Sequence, residues 1–152
     1  MTKTTPIATA RFGEIEPTED RVLLFDQGLV GLPGLSRFLA IPHGEDSPFV
    51  WLQSLDDTDL AFLVVDPRVF VAEYDPKIPV QEANRIGLDK LDTAIVYTLV
   101  TIPHGRPDAM TLNLAGPILV NIETRRARQV VLDTDEWAVK HPAFRQDQRA
   151  AA

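Results

Sequence analysis

Short apolar runs separated by proline, glycine and aspartate dominate the hydrophobic pattern of this chain. The runs are rich in β-branched and aromatic residues, which is typical of β-strands rather than of amphipathic helices. The run at 93–102 is apolar on both faces, so we expect a central strand that is covered on both sides. The pattern predicts strands at Thr9–Ile15, Arg21–Phe25, Arg37–Pro42, Phe49–Ser54, Ala61–Asp66, Thr93–Ile102, Met110–Leu114, Ile118–Ile122 and Arg128–Leu132.

One segment of the chain has the pattern of a helix. Pro79 suits the first turn of a helix, and Gly87 suits its end. Between them, Val80, Ala83 and Ile86 recur at helical spacing. Many short strands with one short helix are typical of a mostly β protein with an antiparallel, barrel-like fold.

The length of the chain, 152 residues, corresponds to one domain. The sequence shows no internal repeat and no low-complexity linker, so we expect a single β-barrel-like domain over residues 1–144. The remaining segment, residues 145–152, is polar and then contains only alanine, and we expect it to fray. No long heptad run demands an oligomer, so the free protein is expected to be monomeric.

Composition narrows the function classes further. The chain has no cysteine, which excludes disulfides, thiolate metal sites and cysteine nucleophiles. Its formal net charge is −7, and residues 1–122 carry 17 acidic and 9 basic side chains. An acidic surface repels phosphate backbones, so direct nucleic-acid binding is not expected. No apolar run approaches the roughly 18 residues of a membrane helix, and no secretory signal is visible, so we expect a cytoplasmic protein.

Candidate catalytic groups are few. The three histidines lie beside proline or glycine at turns and lack metal-ligand spacing. No phosphate-binding loop or nucleophile elbow is present, so no cofactor is expected. Asp56, Asp57 and Asp59 lack the glycine and the distal glutamate of a calcium loop, and a polar turn between two strands explains them. Together with Asp66 they leave one alternative open: a small β-barrel ligand- or metal-binding protein, or a hydrolase.

Arg125, Arg126 and Arg128 form the only basic cluster of the sequence. The cluster lies at a turn between two predicted strands and has no interleaved aromatic residues, which a nucleic-acid surface would need. We therefore expect these three arginines to form a solvated hairpin tip.

The segment from Phe70 to Pro76 follows a strand and precedes the helix, so it is expected to be a loop. It carries Phe70 and Tyr74 beside Glu73 and Asp75. Apolar anchors next to carboxylates suit the binding of a basic, amphipathic partner. The alternative is that the two aromatic side chains pack under the loop as an extension of the core.

Three blocks of the sequence carry a family resemblance. They are FDQGLVGLPGLSRF (25–38), PFVWLQSLDDTDLAFLVVDP (48–67) and MTLNLAGPILVNIETRRARQVVLDTDEWAVKHP (110–142). In composition and order they resemble the flagellar assembly factor FliW family. The resemblance covers about residues 10–142, nearly the whole chain.

The resemblance implies a compact β-barrel-like protein without catalysis and with two mutually exclusive cytoplasmic partners. One partner is flagellin, which the family binds in a chaperone-like manner. The other is CsrA, the RNA-binding translational regulator that represses flagellin synthesis and is antagonised when flagellin has been exported. Tyr74 and Asp75 match a tyrosine–acidic pair that the family uses to contact CsrA, and Phe70 belongs to the same loop. Glu73 is added from this sequence alone. A structural flagellar component that self-associates is a third possibility.

Overall fold

The computed structural model describes residues 6–89 and 94–144. Its strands are β1 (Ile7–Thr9), β2 (Gly13–Ile15), β3 (Val22–Phe25), β4 (Arg37–Pro42), β5 (Phe49–Ser54), β6 (Ala61–Val65), β7 (Ala94–Thr101), β8 (Thr111–Leu112), β9 (Ile118–Asn121), β10 (Arg126–Gln129) and β11 (His141–Pro142). In these ranges the α-helix is α1 (Val80–Arg85), and 3₁₀ turns lie at Glu19–Arg21, Pro67–Val69 and Pro107–Ala109. The predicted tail 145–152 and the predicted strand start, Thr93, fall outside the described residues.

Seven strands close into a barrel, which confirms the predicted fold class. They are hydrogen-bonded in the order β7, β6, β5, β4, β3, β10 and β9, and β9 pairs back with β7. All neighbours in this ring are antiparallel except β3 and β10, whose parallel pairing closes the barrel with the register Arg126↔Leu24 and Ala127↔Phe25. Because β8 and then β11 continue from the end of β7, a short second sheet extends from the barrel.

Strand β7 is covered on both sides, as predicted. Ile95, Tyr97 and Leu99 pack against the barrel core, whereas Val96 and Val100 pack against hydrophobic clusters on the outer face. Alternation of side chains along a strand produces this division. The barrel core itself is formed by Leu23, Phe25, Leu29, Phe38, Leu52, Val64, Ile118, Val120 and Ala127.

Helix α1 covers part of the outer face and ends as predicted. Pro79 is the residue before the first helical turn, and its fixed φ of −60° leads the chain into the helix. At the other end, Gly87 adopts a φ of 74°. The Leu88 N–H donates to the Ala83 carbonyl and the Gly87 N–H donates to that of Asn84, both at 3.0 Å. This is a Schellman motif, which uses glycine because the left-handed conformation is costly for other residues.

The predicted strand Thr9–Ile15 is wrong as a single strand. The segment forms a hairpin of β1 and β2, with the register Ile7↔Ile15. The Thr9 hydroxyl accepts a hydrogen bond from the Phe12 N–H at 3.0 Å and donates to the Gly13 carbonyl at 2.8 Å. These side-chain bonds stabilise the reversal, and Gly13 has a φ of 66°.

Candidate functional site

The 70–76 loop leaves β6 through a capped turn. The Asp66 side chain accepts a hydrogen bond from the Arg68 N–H at 2.9 Å and so caps the 3₁₀ turn at Pro67–Val69. The Val71 N–H then donates to the Pro67 carbonyl at 2.8 Å. The start of the loop is therefore fixed by local hydrogen bonds.

Tyr74 anchors the middle of the loop in the protein interior. Its side chain is only 1% exposed, and its hydroxyl donates to the Leu114 carbonyl at 2.7 Å. Its ring meets the Trp137 ring edge-to-face, with 4.7 Å between centroids. Burial raises the pKa of Tyr74 far above its ordinary value, against the opposing effect of the Arg68 charge. The hydroxyl therefore remains protonated and acts as a hydrogen-bond donor. The backbone of Tyr74 is also held, because the Arg68 Nε–H donates to the Tyr74 carbonyl at 3.1 Å.

Phe70 lies at the boundary between the loop and the core. It is partly buried, and its ring centroid is 6.0 Å from that of Phe49 and 5.6 Å from that of Phe144. Phe144 is itself 40% exposed. Phe70 thus packs on one side and borders solvent on the other.

Glu73 and Asp75 are the exposed residues that flank Tyr74. Within residues 6–89 and 94–144, neither carboxylate takes part in a hydrogen bond or an ion pair. Both are carried by a backbone that the buried tyrosine holds in place. Of the four predicted residues, Glu73 and Asp75 are directly available to a partner, Phe70 borders the surface, and Tyr74 is the anchor.

The alternative site built from aspartates is not assembled. Asp56 accepts hydrogen bonds from the backbone N–H groups of Ser36 and Arg37 at 2.8 and 2.9 Å. Asp57 accepts one from the Asp59 N–H at 3.1 Å, and Asp66 caps the turn before the 70–76 loop. In the described ranges, no group of three or more histidine, aspartate or glutamate side chains is placed to hold a metal ion. Asp56, Asp57 and Asp66 therefore stabilise turns, and the four aspartates do not converge on a ligand.

The arginine cluster differs from its prediction as a solvated tip. Arg128 is largely buried and forms an ion pair with Glu82 of α1, which ties the helix to β10. Arg126 pairs with Asp26 at 2.9 Å, and Arg125 lies 3.5 Å from Glu19. The sequence could not indicate these pairings because each joins residues far apart in the chain. Each arginine of the cluster consequently faces a carboxylate, so the three do not form an unpaired basic patch.

Two parts of the loop's anchor were not found from the sequence. Leu114 contributes a backbone carbonyl, which carries no residue-type signal, and Trp137 lies in a segment without strand or helix periodicity. A tryptophan in a polar segment was the one available signal, because a large aromatic side chain seldom remains fully in solvent.

No helix in residues 6–89 and 94–144 has the length and apolar character needed to cross a membrane.

Comparisons with known proteins agree with one another. The family model of the FliW protein matches residues 5–143. The flagellar assembly factor FliW of Magnetococcus marinus is 39% identical over 125 residues, which are 82% of this chain and 77% of that protein. That of Thermoanaerobacter pseudethanolicus is 39% identical over 137 residues, covering 90% of this chain and 91% of the relative.

A solved structure supports the same relationship. The crystal structure of the flagellar assembly factor FliW superimposes with a TM-score of 0.85 at 26% sequence identity, over 93% of this chain and 99% of the other. Fold, length and sequence thus match together along the barrel and its outer layer, and the chain belongs to the FliW family of flagellar assembly factors.

Proposed function

We propose that this chain is a non-catalytic cytoplasmic protein that binds flagellin and, when free of it, binds and antagonises CsrA. Release of CsrA from the flagellin messenger RNA would then allow translation of flagellin. The observation that carries the proposal is family membership over residues 5–143, since the relatives are named flagellar assembly factors. The dispersal of the candidate catalytic aspartates among structural turns favours a binding role over a chemical one.

We assign the contact with CsrA to the 70–76 loop. A protein that grips RNA carries positive charge near its RNA site, and Glu73 and Asp75 offer exposed carboxylates without internal partners. Opposite charges on two approaching surfaces raise the association rate and favour the correct orientation. The net charge of −7 adds a longer-range attraction towards a basic partner.

In this arrangement the four loop residues have different roles. Glu73 and Asp75 contact the partner, and Phe70 supplies apolar surface beside them. Tyr74 acts as a positioning residue, because its buried side chain fixes the backbone that carries both carboxylates. A partner thus meets a preformed surface rather than a loop that must first become ordered.

Size-exclusion chromatography with light scattering tests the proposal. The purified chain is mixed with CsrA, and flagellin is then added to the mixture. We expect a stable complex with CsrA, its dissolution by flagellin, and a new complex that contains flagellin. Binding to neither protein would overturn the proposal. Self-association of the chain alone would favour a structural flagellar component instead.

A further inference from the structure

The barrel core is unevenly packed. Phe38, Leu52 and Val64 are completely buried. Ala40 and Val50, which pair with Leu52 and Val64, are only partly buried, as are Ile95 and Tyr97 of β7. A cavity of about 260 Å³ opens beside these partly buried residues. We call it the barrel mouth, and its apolar wall is formed by Leu23, Ala40, Val50, Ile95, Tyr97 and Val120.

The rim of the barrel mouth is charged. Arg21, Arg125 and Asp20 line it. The Nε of Arg125 is buried and has no hydrogen-bond partner, although its Nη2 lies 3.5 Å from Glu19 Oε1. A buried donor without an acceptor is costly, and it is satisfied when a ligand supplies the acceptor.

The size of the cavity limits its occupant. A dry cavity of about 150 Å³ accommodates benzene, and drug-sized ligands occupy roughly 300–1,000 Å³. The barrel mouth lies between these limits, which suits a hydrocarbon group of about six to eight carbons. Mouths of β-barrels are also common ligand sites.

The rim limits the charge of the occupant. Arg21 and Arg125 favour an anionic head, whereas the carboxylates of Asp20 and of Glu19, which lies 3.5 Å from Arg125, oppose more than one negative charge on it. A monoanionic carboxylate fits this balance better than a phosphate dianion does. Its oxygens can accept from the guanidinium groups of Arg21 and Arg125 while the hydrocarbon chain fills the apolar wall.

From these observations we propose that the barrel mouth binds a small amphipathic carboxylate, with its alkyl or cyclic hydrocarbon body inside the barrel and its carboxylate at Arg125 and Arg21. The site uses none of the residues of the 70–76 loop, so it goes beyond the proposed function. Failure of partner binding and failure of this site are therefore separately observable.

Titration with octanoate, followed by amide NMR shifts, tests the site in the intact chain. We expect saturable shifts centred on Ile95, Tyr97 and Val120. Octan-1-ol, which has the same chain without the charge, should bind at least ten-fold more weakly. Absence of saturation at millimolar octanoate, or shifts concentrated away from the barrel mouth, would overturn the proposal.

Two variants separate the body of the ligand from its head. Ala40→Leu places additional carbon atoms in the cavity and should reduce octanoate affinity at least ten-fold. Arg125→Gln should reduce octanoate affinity by a similar factor while leaving octan-1-ol affinity within two-fold. Equal losses for both ligands in Arg125→Gln, or unchanged octanoate binding in both variants, would contradict the assigned orientation.

Discussion

Two acidic segments of this protein resemble each other in sequence but not in structure. The turn after β5 contains Asp56 and Asp57, and the 70–76 loop contains Glu73 and Asp75. In the turn, the carboxylates accept hydrogen bonds from backbone N–H groups. In the loop, both acidic residues are exposed, and neither carboxylate has a partner in the part of the chain that the structure describes. An acidic residue therefore has a structural role where backbone N–H groups already donate to its carboxylate. Where no group donates to the carboxylate, the residue is available to a partner.

The ionisation of Asp56 reflects its structural role. Partial burial raises the pKa of Asp56, but hydrogen bonds from the Arg37 and Ser36 backbones and the Arg37 charge together outweigh this effect. The net result is a pKa below the ordinary value of 3.8. The folded protein thus favours the ionised carboxylate, which accepts from the two backbone donors.

The largest loss of stability is expected from a substitution at Tyr74, which anchors the 70–76 loop. Tyr74→Ala removes a buried ring from Trp137 and a hydrogen bond to the Leu114 carbonyl. We expect the free energy of unfolding to fall by about 3–5 kcal/mol, the range for large-to-small core substitutions of aromatic residues. Urea denaturation monitored by tryptophan fluorescence measures the change.

Tyr74→Phe is the matched control, since it keeps the ring and removes only the hydroxyl. We expect a loss of about 1–2 kcal/mol, because the buried Leu114 carbonyl loses its donor. A loss below about 0.5 kcal/mol for Tyr74→Ala would mean that the loop does not depend on this anchor.

A smaller effect is expected in the structural acidic turn. Asp56→Ala removes the acceptor for the Ser36 and Arg37 N–H groups. We expect a loss of about 1–2 kcal/mol at neutral pH, measured by chemical denaturation. Asp59→Ala is the control: its carboxylate has no partner in the described ranges, and its stability should stay within about 0.5 kcal/mol of the wild type. Equal losses of stability in Asp56→Ala and Asp59→Ala would show that the hydrogen bonds to the Asp56 carboxylate do not stabilise the turn.

The same carboxylate gives the stability a pH dependence of known sign. Because the folded-state pKa of Asp56 is depressed, its contribution is present above the unfolded value near 3.8 and is lost as the pH falls through the folded value. Thermal melts of the wild type and Asp56→Asn should therefore differ most at neutral pH and converge below pH about 3.8. A constant difference at all pH values would contradict this assignment.

The smallest effect on stability is expected at the available carboxylates. Asp75→Arg alters an exposed side chain without internal partners, so the free energy of unfolding should change by no more than about 0.5 kcal/mol. Chemical denaturation of this variant beside Asp56→Ala compares the two acidic segments directly. A loss above 1 kcal/mol in Asp75→Arg would show that the loop carboxylate is structural as well.

The sequence predicts the regular elements where local patterning decides them. The observed β4 and β5 have the predicted ends, Arg37–Pro42 and Phe49–Ser54. Strand β6 ends one residue early because Asp66 caps the following turn. The edge strand β11 is only two residues long and depends on pairing with β8, which leaves no local pattern to detect.

The sequence leads to a proposed location for the candidate site but not to the roles of its residues. Residue types and the family resemblance point to the loop, yet they do not distinguish a buried tyrosine from an exposed one. Burial of Tyr74 depends on Leu114 and Trp137, which approach only in the folded chain. The barrel mouth is hidden from the sequence for the same reason, since five strands and two turns contribute to it.

Calorimetric titration of CsrA into Asp75→Arg and Asp59→Arg tests the central claim most directly. Both variants make the same charge change at an exposed acidic residue, one in the 70–76 loop and one in the structural turn. We expect Asp75→Arg to weaken binding about ten-fold or more, equivalent to 1.4 kcal/mol, and Asp59→Arg to remain within about three-fold of the wild type. Equal affinities for the two variants would contradict the assignment of the loop as the partner surface.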